Sequence, residues 1–149
     1  MYRSKRLYEL CFRADAGLPL PARPLINLLI QSALARTQRD DKVILCNYIW
    51  MANHPHISFV SQDIRALRDF YGELKKRLTD MLKRLLGLER LSIWPKEPSV
   101  IEILDLEKAI ERHAYYFLNP AKASLVNSID EFTGESTWER FSRGSASLD

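Results

Sequence analysis

Two short motifs combine residue types that can act together on a phosphodiester. His54 and His56 stand one residue apart in an apolar, strand-like run, and the whole chain has only three histidines. Residues i and i+2 of a strand point to the same face, so both imidazoles should project together, as a metal ion requires. Tyr115 and Asn119 are four residues apart on a predicted helix and share a face. A metal, a tyrosine and an amide on adjacent elements indicate phosphodiester chemistry with a tyrosine nucleophile.

Each motif also has a purely structural interpretation. An isolated His-x-His pattern is a weak signal and is also typical of two sheet histidines with ordinary hydrogen bonds. A single tyrosine on a helix is more often a packing residue than a nucleophile. Tyr116, three residues before Asn119, is the fallback nucleophile. His113 matches no motif and is interpreted as a surface or packing residue.

Composition favours one globular domain. The chain has 149 residues, 46% of them hydrophobic and 28% charged, which is ordinary for a soluble protein. No apolar run approaches the ~20 residues of a membrane span. Glu9 and Arg13 interrupt the apolar stretch that a signal peptide would need, so we expect a cytoplasmic protein with no membrane partner. Cys11 and Cys46 lack the spacing of a metal or redox motif and are expected to be reduced core residues.

Charge is distributed unevenly along the chain. Residues 1–96 carry 17 Lys and Arg against 9 Asp and Glu, a net of +8, whereas residues 97–149 carry 5 against 10, a net of −5. The basic part favours an anionic partner, nucleic acid before membrane, although a solvated surface explains the charge equally well. Basic side chains of the long predicted helix face away from its apolar stripe and are the candidate DNA-backbone contacts. They are Arg65, Arg68, Lys75, Lys76 and Lys83, with Arg77 and Arg84 beside them.

Hydrophobic periodicity predicts helices interleaved with short strands. Asn119 precedes a proline, so the third helix should end before it. This order indicates an α+β fold, with a ferredoxin-like antiparallel sheet covered by helices. A polar C-terminal tail over residues 127–149 should follow, with Trp138 and Phe141 as anchors. The predicted strands are 6–14, 42–51, 54–60, 88–94 and 99–104, and the predicted helices are 24–37, 64–86 and 105–118.

The two motifs also resemble a known family. Residues 51–57, Met-Ala-Asn-His-Pro-His-Ile, are similar to the Met-Pro-Asn-His-hydrophobic-His signature of the HUH single-strand tyrosine transposase family. Residues 114–126 resemble the Tyr-x-x-x-Asn-Pro-x-x-Ala-x-Leu-Val segment of its REP-associated tyrosine transposase (RAYT) branch. The resemblance covers most of residues 6–141. It departs at Ala52, where relatives usually carry proline, and at Pro55, where they carry a bulky apolar residue.

The resemblance implies a ferredoxin-like catalytic domain over residues 1–126. Such an enzyme nicks and transfers single-stranded DNA, often at a hairpin, through a 5′-phosphotyrosine intermediate. By position, Tyr115 matches the nucleophile, and His54, His56 and Asn119 match the ligands of Mg²⁺ or Mn²⁺. The implied partner is single-stranded or hairpin DNA, and the implied state is a monomer or homodimer.

A binding protein is the alternative. A catalytically weak descendant of such a transposase would hold a DNA hairpin or act as a repressor without cutting. Pro55 keeps this alternative open, because proline cannot donate to a sheet ladder. It either bends the strand and misplaces one imidazole or lies at an edge, where the missing donor costs nothing.

Overall fold

Four antiparallel strands form one sheet, in the order β2 (Ile44–Met51), β3 (His54–Ser61), β1 (Arg6–Cys11) and β4 (Ser99–Ile103). The computed structural model describes residues 5–14, 20–40, 43–94 and 97–143. Chain order is strand, helix, strand, strand, helix, strand, which with this strand order is the ferredoxin-like arrangement, so the predicted α+β fold class is confirmed. The elements are β1 (Arg6–Cys11), α1 (Pro24–Asp40), β2 (Ile44–Met51), β3 (His54–Ser61), α2 (Ile64–Leu86), β4 (Ser99–Ile103), α3 (Leu106–Lys122), a 3₁₀ turn (Ile129–Glu131) and α4 (Trp138–Ser142).

Helices α1 and α2 cover one face of the sheet, which we call the α1/α2 face. Helix α2 begins where Asp63 accepts a hydrogen bond from the backbone N–H of Ala66 and ends at Gly87, whose φ of 67° suits glycine. Burying each of its apolar side chains contributes about 1.5–3 kcal/mol. The buried stripe of α2 is Leu67, Phe70, Tyr71, Leu74, Leu78 and Leu82, and it meets Leu10, Phe12, Ile57 and Phe59 of the sheet side.

Helix α3 lies across the opposite face, the α3 face. Its N-terminus is capped by Asp105, which accepts a hydrogen bond from the N–H of Lys108. Tyr116 and Phe117 pack against Ile49 and Met51 of β2. Strand residues alternate between faces, so Glu9, His54 and His56 belong to the α3 face while Leu10 and Ile57 belong to the other. The sheet is therefore covered by helices on both sides.

Residues after α3 extend the sheet at its β2 edge. The N–H of Trp50 donates to the carbonyl of Glu135, and the N–H of Thr137 donates to the carbonyl of Tyr48. The Tyr48 hydroxyl donates to the Glu135 carboxylate at 2.5 Å, and burial together with that carboxylate raises the pKa of Tyr48. Trp138 packs on Phe117, as its predicted anchor role requires. Residues 127–143 are thus more ordered than their polar sequence suggests, and residues 144–149 of the predicted tail lie outside the described residues.

Three other expectations differ from the structure. Residues 88–94 form no strand, although Ile93 and Trp94 are buried in the core. Strand β1 ends at Cys11 rather than at residue 14, and Lys42 of the predicted second strand lies outside the described residues. Helix α3 does not stop before Asn119 but continues through Pro120 to Lys122. None of the helices in the described ranges is both long and apolar enough to cross a membrane.

Candidate active site

The two histidines stand at the start of β3, directly after the β2–β3 turn. Residues 52 and 53 form that turn, and His54 pairs with Met51 across it. The rings of His54 and His56 lie 5.1 Å apart between centroids and are nearly perpendicular. Both imidazoles are therefore on one face and adjacent, as the spacing predicts.

Pro55 does not displace either imidazole. It is buried and pairs with Trp50 of β2. The pairing between β3 and β1 ends one residue later, at Cys11 and His56. Pro55 therefore lies beyond the β1 ladder at the open end of its strand, a position where a missing N–H breaks no pairing with β1. The pairing with β2 continues through Pro55 to His54, and the two imidazoles remain adjacent.

Each imidazole is oriented through its Nδ1 atom. His54 Nδ1 lies 2.7 Å from the side-chain oxygen of Asn53, and His56 Nδ1 lies 3.3 Å from a carboxylate oxygen of Glu9. Because both partners are acceptors, the Nδ1 atoms carry the protons. The Nε2 atom of each ring is then the one available to a ligand, and His56 Nε2 is buried without a hydrogen-bond partner in the described part of the chain.

Electrostatics separate the two histidines. Burial, the Arg13 charge and the neighbouring His56 lower the pKa of His54 to about 4. Burial also acts to lower the pKa of His56, but the neighbouring Cys11 and the hydrogen bond to Glu9 outweigh it and raise that pKa to about 9. Near pH 7, His54 is neutral and His56 is an imidazolium, so a metal ion bound to both must displace one proton.

Tyr115 lies beside the histidine pair. Its ring is half-buried and stands perpendicular to that of His56, with 5.5 Å between centroids. Two cations contact the ring, the guanidinium of Arg112 at 4.8 Å and the ammonium of Lys122 at 5.3 Å from its centre. Lys122 is exposed to solvent, and a cation close to a phenol is suited to a phosphate group that approaches it.

Tyr116, the fallback nucleophile, lies beneath this surface. Its side chain is 0% exposed and stacks on His56 at 5.5 Å. The hydroxyl has no hydrogen-bond partner among the residues described, and burial, with the Glu9 charge nearby, raises its pKa. A DNA strand cannot reach this oxygen without opening the core.

Asn119 follows one helical turn after Tyr115. Its Nδ2 atom is buried and has no partner within the described ranges. Turning the amide by 180° exchanges this nitrogen with the carbonyl oxygen, which is the atom a hard cation prefers. No group of three His, Cys, Asp or Glu side chains in the described ranges can hold a metal ion. The unpartnered atoms of His56 and Asn119 are the ones that the predicted mixed site, with two imidazole nitrogens and an amide oxygen, would use.

Glu9 and Arg112 also belong to this site, although no motif in the sequence marks them. Arg112 donates two hydrogen bonds to the Glu9 carboxylate, at 2.6 and 2.5 Å. Glu9 is only 2% exposed. Burial acts to raise its pKa, but hydrogen bonds from His56 and Arg112 lower it to about 2, so the carboxylate is ionised. The available signal was a single acidic residue between the apolar residues of a predicted strand, which is costly unless it is paired.

The remaining predicted residues are farther from the pair. His113 is half-buried, and its Nε2 lies 2.8 Å from the Ser58 hydroxyl, so it is a packing residue as expected. The predicted DNA contacts on α2 belong to the other layer of the molecule. Lys75 lies over the Tyr71 ring and Lys83 is 3.9 Å from Asp80. The five residues concerned are Arg65, Arg68, Lys75, Lys76 and Lys83, all on the helix that packs on the α1/α2 face.

Comparison with solved structures places this geometry in a known fold. A REP-associated tyrosine transposase bound to a REP hairpin matches 99% of this chain and 86% of its own, with a TM-score of 0.76 and 16% identity. The fold is that of the REP-associated tyrosine transposases. A candidate transposase from Deinococcus radiodurans R1 matches 76% of this chain and 90% of its own, with a TM-score of 0.57 and 13% identity. No family profile and no curated protein matches the sequence. The resemblance found in the motifs is thus confirmed for the fold.

Proposed function

We propose that the protein is a metal-dependent transposase or nickase of single-stranded DNA, with hairpin DNA as its substrate and Tyr115 as its nucleophile. One observation carries the proposal. The half-exposed Tyr115 ring lies 5.5 Å from that of His56, whose Nε2 is free of partners within the described residues. Metal-assisted cleavage of a phosphodiester by a side chain needs a nucleophile next to a residue that can bind the metal ion. The fold shared with a transposase bound to a hairpin supports DNA as the substrate.

The proposed reaction is a transesterification. The phenolic oxygen of Tyr115 attacks phosphorus, and the bond from phosphorus to the 3′ oxygen breaks as the new bond forms. The phenolic proton passes to water, which reaches the half-buried side chain, and the departing 3′ oxygen takes a proton from water. The 5′ phosphate remains on Tyr115. A phenolate is a tolerable leaving group, so a second 3′-hydroxyl can reverse the step and join the strand elsewhere without ATP.

The residues that would hold Mg²⁺ or Mn²⁺ are His54, His56 and Asn119. Such an ion, when bound, neutralises negative charge on the phosphate oxygens and polarises the phosphate. Neutral His54 is ready to serve as a ligand, because its pKa is lowered to about 4. Glu9 fixes the ring of His56 through Nδ1 and leaves Nε2 for the ion, which is the usual role of a carboxylate behind a ligating histidine.

Accessibility supports Tyr115 over Tyr116. The Tyr115 ring is half-exposed and lies beside Arg112 and Lys122, whereas Tyr116 is completely buried. A nucleophile must approach within about 3–3.5 Å of the reacting phosphorus. Tyr115 permits that approach with α3 folded, whereas Tyr116 does not.

A hairpin-binding protein that does not cut is the second candidate function. The observation that favours it is the absence of a third His, Cys, Asp or Glu ligand among the described residues near the histidine pair. Two imidazoles and one amide give a weaker site than a set with carboxylates. A protein of this kind would keep the DNA-binding surface and lose the chemistry.

Incubation of labelled hairpin DNA with the protein and Mn²⁺ separates the two functions. We expect a nicked product and a protein–DNA adduct that survives denaturing electrophoresis, both lost on chelation and in Tyr115→Phe. We also expect His54→Ala and His56→Ala to lose cleavage and to weaken Mn²⁺ binding in calorimetry. Hairpin binding without any nick or adduct, in Mg²⁺ as in Mn²⁺, would establish the second function instead.

A further inference from the structure

Two exposed cations lie on the α3 face, Lys122 beside Tyr115 and Arg13 near His54. Lys122 stands over the Tyr115 ring, 5.3 Å from its centre. Arg13 follows β1 and is exposed, whereas Phe12 and Ala14 on either side of it are buried in the core of the α1/α2 face, so the Arg13 side chain lies on the α3 side. The N–H of Ala14 donates to the carbonyl of Asn53 at 2.7 Å, which fixes this segment beside the turn that precedes His54. The influence of Arg13 on His54 agrees with that placement.

Both cations are also available for a ligand. Helix α3 carries three basic side chains. Lys108 pairs with Glu111 at 3.0 Å and Arg112 is held by Glu9, whereas Lys122 has no ion-pair partner among the residues that the structure describes. Arg13 likewise makes no ion pair within the described ranges, and both side chains are exposed. Charge without an internal partner, placed beside a candidate nucleophile and a candidate ligand, suits an incoming anion.

The basic face of α2 cannot serve the same phosphates. Helix α2 packs on the α1/α2 face through Leu67 and Phe70, with the whole sheet between it and Tyr115. A short single strand that reaches Tyr115 therefore contacts cations on the α3 face. Contacts from α2 would have to involve another part of a larger DNA.

We propose that Arg13 and Lys122 bind backbone phosphates of the strand that is cut, on the two sides of the phosphate that reacts at Tyr115. This inference rests on the proposed function, because it takes DNA as the ligand and Tyr115 as the reacting residue. Arg13 would bind on the side of the β2–β3 turn and Lys122 on the side of the α3 C-terminus. Recognition is of the sugar–phosphate backbone, so it is independent of base sequence.

The test measures binding apart from chemistry. A fluorescein-labelled oligothymidylate is titrated by anisotropy at several salt concentrations, with Tyr115→Phe as the background and no divalent metal. We expect Arg13→Gln and Lys122→Gln each to weaken binding several-fold and to reduce the slope of log affinity against log salt by about 0.7, the value for one phosphate contact with a single strand. Lys122→Arg should restore binding. Arg36→Gln is the matched control, because Arg36 is an exposed cation on α1.

Distinct outcomes separate the failure of this inference from the failure of the proposed function. Unchanged affinity and slope in both variants, with a loss in Arg68→Gln and Lys76→Gln, would overturn the inference and place the strand on α2, while the proposed function stands. A loss in the Arg13 and Lys122 variants of a protein that never nicks DNA would uphold the inference and reject the chemistry. Failure of the Tyr115→Phe protein to bind the oligonucleotide even at low salt would overturn the inference. Failure to bind hairpin DNA as well would reject both the inference and the proposed function.

Discussion

Arg112 donates two hydrogen bonds to Glu9, from Nε to Oε2 at 2.6 Å and from Nη2 to Oε1 at 2.5 Å. The same guanidinium lies 4.8 Å from the centre of the Tyr115 ring, and the same carboxylate lies 3.3 Å from Nδ1 of His56. Through this pair, strand β1 and helix α3 fix the relative positions of a candidate ligand and a candidate nucleophile. A bidentate pair between Arg and a buried carboxylate is well suited to that role, because it sets direction as well as distance.

Removing the Glu9 charge should weaken metal binding without touching a ligand. In Glu9→Gln the residue at position 9 no longer carries the charge that fixes His56, so we expect Mn²⁺ affinity to fall by about 10–100-fold, the range for partners of ligating histidines. Calorimetric titration measures this, with circular dichroism as a check on folding. Glu102→Gln is the matched control, since Glu102 of β4 forms an exposed ion pair with Arg6 of β1. An equal affinity in both variants would mean that Glu9 does not orient the histidine.

The same carboxylate should make stability depend on pH in the metal-free protein. The pKa of Glu9 is lowered to about 2. Its contribution to folding stability is therefore complete above pH 4.5, the ordinary pKa, and is lost as pH falls towards 2. The pKa of His56 is raised to about 9, so the contribution of His56 is complete below about 6.5 and is lost as pH rises through 9. Both contributions are complete only between about pH 4.5 and 6.5.

Thermal melting of wild type and Glu9→Gln across pH 2 to 9 checks this prediction. The difference in melting temperature should be largest between pH 4.5 and 6.5 and should shrink on both sides. A difference that is constant with pH would show that Glu9 acts through packing alone.

The core elements could be predicted because their signals are local. Helix α2 has a stripe with helical spacing, a capping Asp63 and a terminal Gly87, and its predicted bounds agree with the structure. Residues 88–94 carry no comparable local signal. Their apolar residues report burial, and Ile93 and Trp94 are indeed buried, but a strand also needs an edge to pair with. Burial of Pro120 with Tyr116 and Phe117 likewise carries α3 past the point where the proline alone predicts an end.

The site was predictable only in part, for a related reason. The motif spacing places His54 with His56, and Tyr115 with Asn119, because each pair belongs to one element. The contact between Glu9 and Arg112 joins residues 103 positions apart, and no sequence period reports it. Helix α2 and Tyr115 lie on opposite faces of the sheet. A charge pattern does not indicate which face a helix covers, so this separation could not be predicted from the basic residues of α2.

The neighbouring tyrosines offer a matched pair of variants. Tyr115→Phe should abolish the covalent adduct, since it removes the proposed nucleophilic oxygen and keeps the ring that contacts Arg112 and Lys122. Tyr116→Phe should retain the adduct. It should also keep or slightly raise stability, because it removes a buried hydroxyl with no partner among the described residues. Denaturing electrophoresis and chemical denaturation measure the two effects. An adduct in Tyr115→Phe that disappears in Tyr116→Phe would exchange the two roles.

Replacing Pro55 tests whether the departure from the family signature matters. The structure gives it a position beyond the β1 pairing, opposite Trp50, with the imidazoles 5.1 Å apart on the other face. Pro55→Val should therefore leave cleavage unchanged and shift stability by no more than about 1 kcal/mol, as for a proline in a compatible conformation. Ile57→Val, on the same face of β3, is the control and should cost about 0.5–1.5 kcal/mol through lost packing without affecting cleavage. Faster cleavage in Pro55→Val would show that the proline restrains the histidine pair in solution, whereas slower cleavage would make it a working part of the site.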